Sequence, residues 1–324
     1  MHDVLGFDGV TPAYFRWAAR EQLKHYGTVE MTNGTVTKIM PVDEQNSYFI
    51  VTHNNKTVTT RKVVLATGLR DILPATPGVR ENWGNGIFWC PWCDGHEHAD
   101  QPLGLLGSLD NVPAAVREML TLNTDIVALV NGTNTPEMRA TTETKSPRWE
   151  AYLRAHNVGI DNRTITAITR IRNGTDGTED PSLPSVPEHD LFRVEFADGP
   201  FIERAAFLAA FPSEQTSKIG EETGVRLYGG RLAADPTNGL VTNVPGVYAI
   251  GDANSDNITN VPHALFSGKR TAVFLHVRLA REDGDKVLNG TGVSRRDMEI
   301  EARSLWETVS GKPGDILYAG EFDQ

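Results

Sequence analysis

The chain contains two cysteines, and they stand three positions apart in Cys90-Pro91-Trp92-Cys93-Asp94-Gly95-His96-Glu97. Two thiols at this spacing can close a short disulfide when the chain turns between them. The Pro-Trp spacer lacks small flexible residues and predicts a fixed turn. A thiolate, not a thiol, attacks a disulfide, so such a pair needs groups that lower a thiol pKa and move protons. Asp94 and Glu97 are carboxylates close in sequence to that work, and His96 is a proton shuttle near neutral pH. Cys90, Cys93, Asp94, His96 and Glu97 are therefore the candidate catalytic residues. Two other readings stand beside the redox one. Cys90, Cys93, His96 and His98 carry zinc-ligand side chains. Structural zinc, however, usually joins two ligand pairs across a longer loop, and here all four would crowd into one short segment, so no metal is expected. Inert buried thiols are the second alternative, although inert cysteines have no need to be neighbours.

The rest of the chain must position this dithiol. Its 324 residues give a prior of roughly two domains. With 39% hydrophobic and 23% charged residues, disorder and collagen-like repeats are excluded. The net charge of -11 argues against nucleic acid as a partner. No apolar run approaches the ~18 residues that span a bilayer, and no signal-type apolar segment follows Met1, so a cytoplasmic protein without a membrane partner is expected. A single Cys pair also excludes a disulfide-stapled scaffold.

Hydrophobic patterning predicts a helix over 9–27, with Thr11 at its N-cap and Pro12 at its first position. Phe15, Ala18, Ala19 and Leu23 form its apolar stripe. Strands are predicted over 29–31, 36–40, 48–52 and 58–60, with Asn54-Asn55 as a hairpin turn. The apolar run at 63–66 predicts a strand covered on both faces. A strand over 103–106, a helix over 113–121 and a strand over 126–130 make a βαβ unit. A helix over 148–156 and strands over 165–171 and 192–196 follow, with 174–190 between the strands as a solvated loop. Strands over 205–211 and 247–250 precede a long helix capped by Asn260, with Pro262 in its first turn. Leu265, Ala272, Val273, Phe274 and Val277 form its expected buried stripe. The pattern is α/β: two Rossmann-like three-layer domains, the second inserted in a discontinuous first. The expected boundaries are 1–78, 79–204 and 205–324.

Several segments together resemble one family. Cys-x-x-Cys-Asp-Gly follows the strand end Val64-Leu65-Ala66-Thr67-Gly68 by about 25 positions. His2-Asp3-Val4-Leu5-Gly6-Phe7-Asp8-Gly9, Pro102-Leu103-Gly104-Leu105-Leu106 and Val244-Pro245-Gly246-Val247-Tyr248-Ala249-Ile250-Gly251-Asp252 complete the match. These segments resemble the low-molecular-weight thioredoxin reductases. They are more similar still to the FAD-dependent dithiol oxidases of the gliotoxin and holomycin type. The resemblance implies an FAD-binding domain, the first of the two, interrupted by an NAD(P)-binding-like domain that carries the dithiol. It implies FAD contacts from Thr67, Gly68, Gly251, Asp252, Val261 and His263. Asp252 would accept from ribityl hydroxyls, and the helix opening at 261–263 would aim its positive end at the flavin pyrimidine. Cys93 would face the flavin, Cys90 would meet the substrate, and Asp94 would be the acid/base. The implied reaction is oxidation of a small dithiol to its disulfide, in secondary-metabolite biosynthesis, with O2 as acceptor. The alternatives are an NADPH-dependent reductase with thioredoxin as partner and a flavin-free interaction module. The family forms homodimers, so residues 11–26 are either an interface or a stripe packed on its own sheet.

Two departures from the family shape the expectation. No Gly-x-Gly-x-x-Gly turn for the FAD pyrophosphate precedes the His2 segment, so the sequence is read as N-terminally truncated, lacking two central FAD-domain strands and compromised in FAD binding. The turn after 103–106 also lacks this pattern, and 131–136 lacks the Arg cluster that pairs with a 2′-phosphate, with Arg139 alone nearby. NADP is therefore doubtful as a cofactor.

Overall fold

Strand Leu103–Leu106 is buried at every position, as an apolar run in a sheet covered on both faces must be. It lies inside a five-stranded parallel sheet whose spatial order is Ile87–Phe88, Ala206–Ala209, Leu103–Leu106, Ile126–Leu129 and Gly159–Asp161. The computed structural model describes residues 1–175 and 177–290. These fall into two units: one made of Met1–Phe15 and Arg70–Glu214, the other of Arg16–Leu69 and the described residues from Gln215 onward.

In the first unit, helices Val112–Met119 and Trp149–Ala155 cover one face of the parallel sheet, burying Val116, Met119, Trp149 and Leu153 against Leu103 and Leu105. The other face packs on a three-stranded antiparallel sheet of Ile165–Arg172, Leu191–Phe196 and Ile202–Arg204 through Ile168, Phe192 and Phe207. This is the expected three-layer arrangement of helix, parallel sheet and antiparallel sheet. The chain enters this unit beside the point where it leaves it, and Arg70 Nε there donates to Glu214 at 2.8 Å. The unit is wider than the boundaries 79–204 read from sequence. Ala206–Ala209 pairs in parallel with Leu103–Leu106 at the centre of this sheet, so the strand read over 205–211 belongs here. The N-terminal residues join through Gly9, whose carbonyl accepts from Ser185 N at 3.0 Å.

In the second unit, strands Val36–Pro41, Phe49–His53 and Lys56–Thr60 form an antiparallel sheet. Asn54 and Asn55 both take positive φ in the turn between the last two, the conformation a two-residue hairpin demands. A second sheet runs Ala234–Asp235, Val241–Thr242, Val247–Ala249 and Val63–Leu65, the last two in parallel. Phe49, Leu65, Leu232 and Val247 centre its core.

Three local expectations fail here, and for residues 11–26 the alternative of a stripe packed on its own sheet finds no support. Residues 29–31 form no strand. Val64 is exposed, so Val63–Leu65 is covered on one face only among the described residues. Helix Pro12–Leu23 buries none of its residues. Helix Val261–Leu288 buries Ser267 and Thr271, while Leu265, Ala272, Val273, Phe274 and Val277 are all exposed. The reason is polar anchoring: Ser267 Oγ accepts from Gly251 N at 3.0 Å, and Thr271 Oγ1 donates to Gly239 O at 2.9 Å. These two bonds turn the small polar face of the helix inward. The tail beyond residue 290, part of the expected third segment, lies outside the described residues.

Candidate functional site

The dithiol sits in the first unit. Buried strand Ile87–Phe88 delivers Trp89 and Cys90, and the chain then turns at once into the short helix Pro91–Asp94. Pro91 occupies the first helical position, where its fixed φ suits the helix and its missing N–H costs nothing. Cys93 N and Asp94 N both reach Cys90 O at 3.2 Å. Cys90 and Cys93 are joined as a disulfide with Cα atoms 5.2 Å apart. Bonded to each other, the two sulfurs are not disposed as a pair of zinc ligands in this structure. Among the described residues no cluster of three or more His, Cys, Asp or Glu is placed to hold a metal. Gly95 ends the turn, and a Cβ there would come within 2.9 Å of Leu122 Cδ1.

Behind the turn lies a set of ionisable groups. Burial raises the Asp94 carboxyl above its ordinary pKa, so it holds a proton more readily than an exposed aspartate. Glu97 is buried and accepts from His2 Nε2 at 2.7 Å and from Ser185 Oγ. Burial alone would raise its pKa, but the bonds from Ser185 and His2 outweigh it and hold the carboxyl below the ordinary range. His2 is held above its usual value: burial opposes its charge, and the bonds to Glu97 and Asp8 overcome that. The Asp8 bond, to His2 Nδ1, is 2.9 Å long. His98 is buried, stacked on Phe88 with ring centres 5.3 Å apart, and burial lowers its pKa. Glu188 donates its N–H to Glu97 O at 2.8 Å. Burial, aided by the charges of Asp190 and Glu97, pushes its carboxyl up to about 7. His96 is exposed, edge-on to the His2 ring at 5.5 Å. A groove of about 390 Å³ beside the turn is lined by Trp92, His96, His2 and Ser185.

The second unit gathers the other predicted residues. Val63–Leu65 and Val247–Ala249 are parallel neighbours with Leu65 opposite Ala249. Thr67-Gly68 and Gly251-Asp252 therefore emerge side by side from the carboxyl ends of two adjacent strands, where open α/β sheets bind ligands. Thr67 Oγ1 is buried without a hydrogen-bond partner among the described residues. The Asp252 carboxyl is raised by burial, against the pull of Arg231 and His263, and makes no hydrogen bond among the described residues. Val261 opens the long helix, and Asn260 caps it by accepting from His263 N at 2.7 Å. An orphaned hydroxyl, an unpartnered carboxylate and a helix N-terminus on one rim fit the polar flavin and ribityl end of FAD.

A family model described as "Pyridine nucleotide-disulphide oxidoreductase" matches residues 7–268. The chain belongs to that family. It is 42% identical over 319 residues to a "Probable thioredoxin reductase" of Arthroderma benhamiae, covering 94% of this chain and 76% of that one. It is 26% identical to "Thioredoxin reductase tcpT" of Claviceps purpurea, covering 83% of this chain and 78% of the relative. Among solved structures it resembles HlmI, with 28% identity, a TM-score of 0.71, and coverage of 90% of this chain and 83% of the other. The putative thioredoxin reductase TrxB of Bacillus anthracis shares the fold at 22% identity and the same TM-score, covering 87% of this chain and 85% of that one. The chain is therefore a thioredoxin-reductase-like oxidoreductase acting on sulfur groups, with the two-domain Rossmann-like α/β fold of these relatives.

The structure places Cys90, Cys93 and Asp94 on one turn of the first unit, with His96 and Glu97 directly after it. Thr67, Gly68, Gly251 and Asp252 share one rim of the second. Sequence reasoning missed His2, Ser185 and Glu188 as parts of the dithiol surroundings, and took His98 only as a zinc-ligand side chain. His2 lay in a segment quoted for its resemblance, with nothing to mark its side chain. Ser185 and Glu188 lay in 174–190, read as a solvated loop. The described residues there are mostly exposed and form no helix or strand, as read, but Ser185 and Glu188 bond Glu97, and the segment ends at Asp190, a buried carboxylate that accepts from Arg170 Nη2 at 2.6 Å. The alternation of charge and small residues there gave no signal of burial.

Proposed function

We propose that the chain is a flavin-dependent thiol–disulfide oxidoreductase that converts a small dithiol into its disulfide, in the biosynthesis of a secondary metabolite. The observation that carries this reading is the Cys90–Cys93 disulfide on a short proline-led turn, adjoining a half-buried carboxyl, Asp94, whose proton affinity is raised by desolvation. A substrate thiolate attacks Cys90 Sγ, and the Cys90–Cys93 bond breaks as the mixed disulfide forms. The second substrate thiolate then attacks the substrate sulfur bound to Cys90 and releases the oxidised product. Two electrons and two protons stay with the protein: Cys90 and Cys93 become a dithiol, and Asp94 takes up and returns a proton as Cys93 changes charge. Glu97, fixed by His2 and Ser185, holds the segment after the turn in place. Asp252, Thr67, Gly68 and the helix opening at Val261 and His263 would hold FAD. When bound, FAD would supply the two-electron acceptor, with O2 as the final oxidant and H2O2 as by-product.

Replacing either cysteine by serine tests this. Cys90→Ser and Cys93→Ser each abolish dithiol-dependent O2 consumption on this reading, and undiminished oxidation in either variant removes that residue from the reaction. NADPH-dependent reduction of thioredoxin is the second reading, favoured by the printed names of the relatives. NADPH consumption with thioredoxin in steady state would establish it. A homodimer is proposed as well, supported by a helix Pro12–Leu23 that buries none of its own residues. Sedimentation equilibrium decides that point.

A further inference from the structure

In the first unit, Leu103–Leu106, Ile126–Leu129 and Ala206–Ala209 end on one rim of the parallel sheet. The chain runs from Leu103–Leu106 to a neighbour on one side, and Ala206–Ala209 lies on the other. This is a topological switch point, the place where such sheets bind ligands. A cleft of about 660 Å³ opens there.

The cleft does not suit a dinucleotide. A pyrophosphate at this turn needs free backbone N–H groups and a cation. The Leu109 N–H already donates to Thr133 Oγ1 at 3.0 Å, and the Asn111 N–H donates to Ser108 O at 3.0 Å. Among the described residues, the one charged side chain lining the cleft is Glu118, which repels phosphate. Arg139 is engaged elsewhere, bound to Glu150 and lying 5.1 Å above the Trp149 ring.

The walls suit something else. Trp89, Phe211, Val130 and Ile168 line the cleft. Trp89 is stacked on Trp83 with ring centres 4.9 Å apart, and Trp83 in turn lies 5.7 Å from Phe211. Trp89 still keeps 51% of its surface exposed. A rigid, half-open indole is a low-entropy platform for a flat apolar partner. It also immediately precedes Cys90 in the chain.

We propose that this cleft binds the ring-bearing body of an uncharged aromatic small molecule and not a nicotinamide dinucleotide. Resting on the dithiol-oxidase reading above, that molecule is the substrate, held by its ring while its sulfurs meet the Cys90–Cys93 pair. Its volume falls in the range of small-molecule sites.

Calorimetric titration of the purified holoprotein tests the cleft directly, with indole and N-acetyl-L-tryptophanamide against NADPH and ADP-ribose. Saturable 1:1 binding of the two neutral rings is expected, unaffected by excess NADPH. Trp89→Ala removes the platform, and Ala114→Phe, on the exposed side of a lining helix, fills the space. Each should weaken indole binding by about tenfold or more. No saturable binding of indole, or its displacement by NADPH or ADP-ribose, overturns the assignment. A turnover arm separates the two readings. Ala114→Phe should raise the KM for an aryl-substituted 1,4-dithiol about tenfold more than that for dithiothreitol. If neither dithiol is oxidised while indole binding and its loss in Ala114→Phe persist, the oxidase reading falls and the cleft assignment stands. Equal KM changes for the two dithiols overturn the link between cleft and substrate.

Discussion

Glu188 makes the charge network behind the dithiol measurable as stability. Its carboxyl is pushed up to about 7 by burial, with the charges of Asp190, Glu97 and Asp94 adding to the effect and Arg170 opposing it. In the unfolded chain the group titrates near 4.5. Between those values the folded protein holds a proton that the unfolded chain has released, so stability falls as pH rises from about 4.5 to about 7 and is level above. A displacement of that size is nominally worth about 3 kcal/mol at 1.36 kcal/mol per pH unit. The side chain keeps 30% of its surface exposed, and solvent screening reduces the figure to about 1–2 kcal/mol. Glu188→Gln removes the charge and keeps the shape. The variant should match the parent near pH 4.5 and exceed it by about 1–2 kcal/mol at pH 8. In thermal melts this is a gain of roughly 1.5–3 °C at pH 8 for a chain of this size. The assay is a pair of melting series across pH 4.5–8.5, followed by circular dichroism. A gain of the same size at both ends would mean that the effect is one of packing and not of ionisation. No gain at pH 8 would show that the carboxylate is well solvated, and the reasoning from burial would fail.

Four other outcomes follow from the geometry. Glu97→Ala strips His2 and Ser185 of a buried charged acceptor and should cost about 3–5 kcal/mol in denaturant unfolding, with Glu97→Gln recovering part of it. The His2–Glu97 pair should contribute most between about pH 4.5 and 6.5. Below that window the contribution fades as pH falls towards the depressed pKa of folded Glu97, and above it fades as pH rises through the raised pKa of folded His2, so an unfolding profile of His2→Gln should differ most from the parent inside it. Asp252→Ala should lower the flavin absorbance retained after gel filtration in FAD, whereas Asp235→Ala, at an exposed turn, should leave it as in the parent. Gly78 takes φ +88, and an added Cβ would run into the Ile168 carbonyl. Gly78→Ala should therefore lose more than about 3 kcal/mol in the same denaturant assay.

Much of the fold is written in local pattern. The fully apolar run at 103–106 and the Asn54-Asn55 turn each obey rules that involve only near neighbours, and both form as read. The helix signals Pro12, Asn260 and Pro262 do so too, because a cap acts within one turn of its own chain. What failed depended on partners far along the sequence. The stripe Leu265, Val273, Phe274 and Val277 has helical spacing but stays exposed, since Ser267 and Thr271 find carbonyl and amide partners in distant loops. Strand Ala206–Ala209 is as apolar as any other. Its pattern cannot say which sheet it joins, and the edge of Leu103–Leu106 to which it pairs lies about a hundred residues back.

The sequence by itself determined that this chain carries its two cysteines three positions apart on a proline-led turn, with an acid directly beside the second. It also carries the strand-end signatures that place it among the disulfide oxidoreductases. These are matters of residue type and short spacing, and covalent connection fixes them. Only the tertiary structure decided that Glu97 is clamped by His2 and Ser185, that Glu188 titrates near neutrality, and that the switch-point cleft is walled by indole and not by cations. Each of these depends on burial and on groups brought together from 88 or more positions away or across different strands. Desolvation and pairing are properties of a packed interior, and no local pattern encodes them.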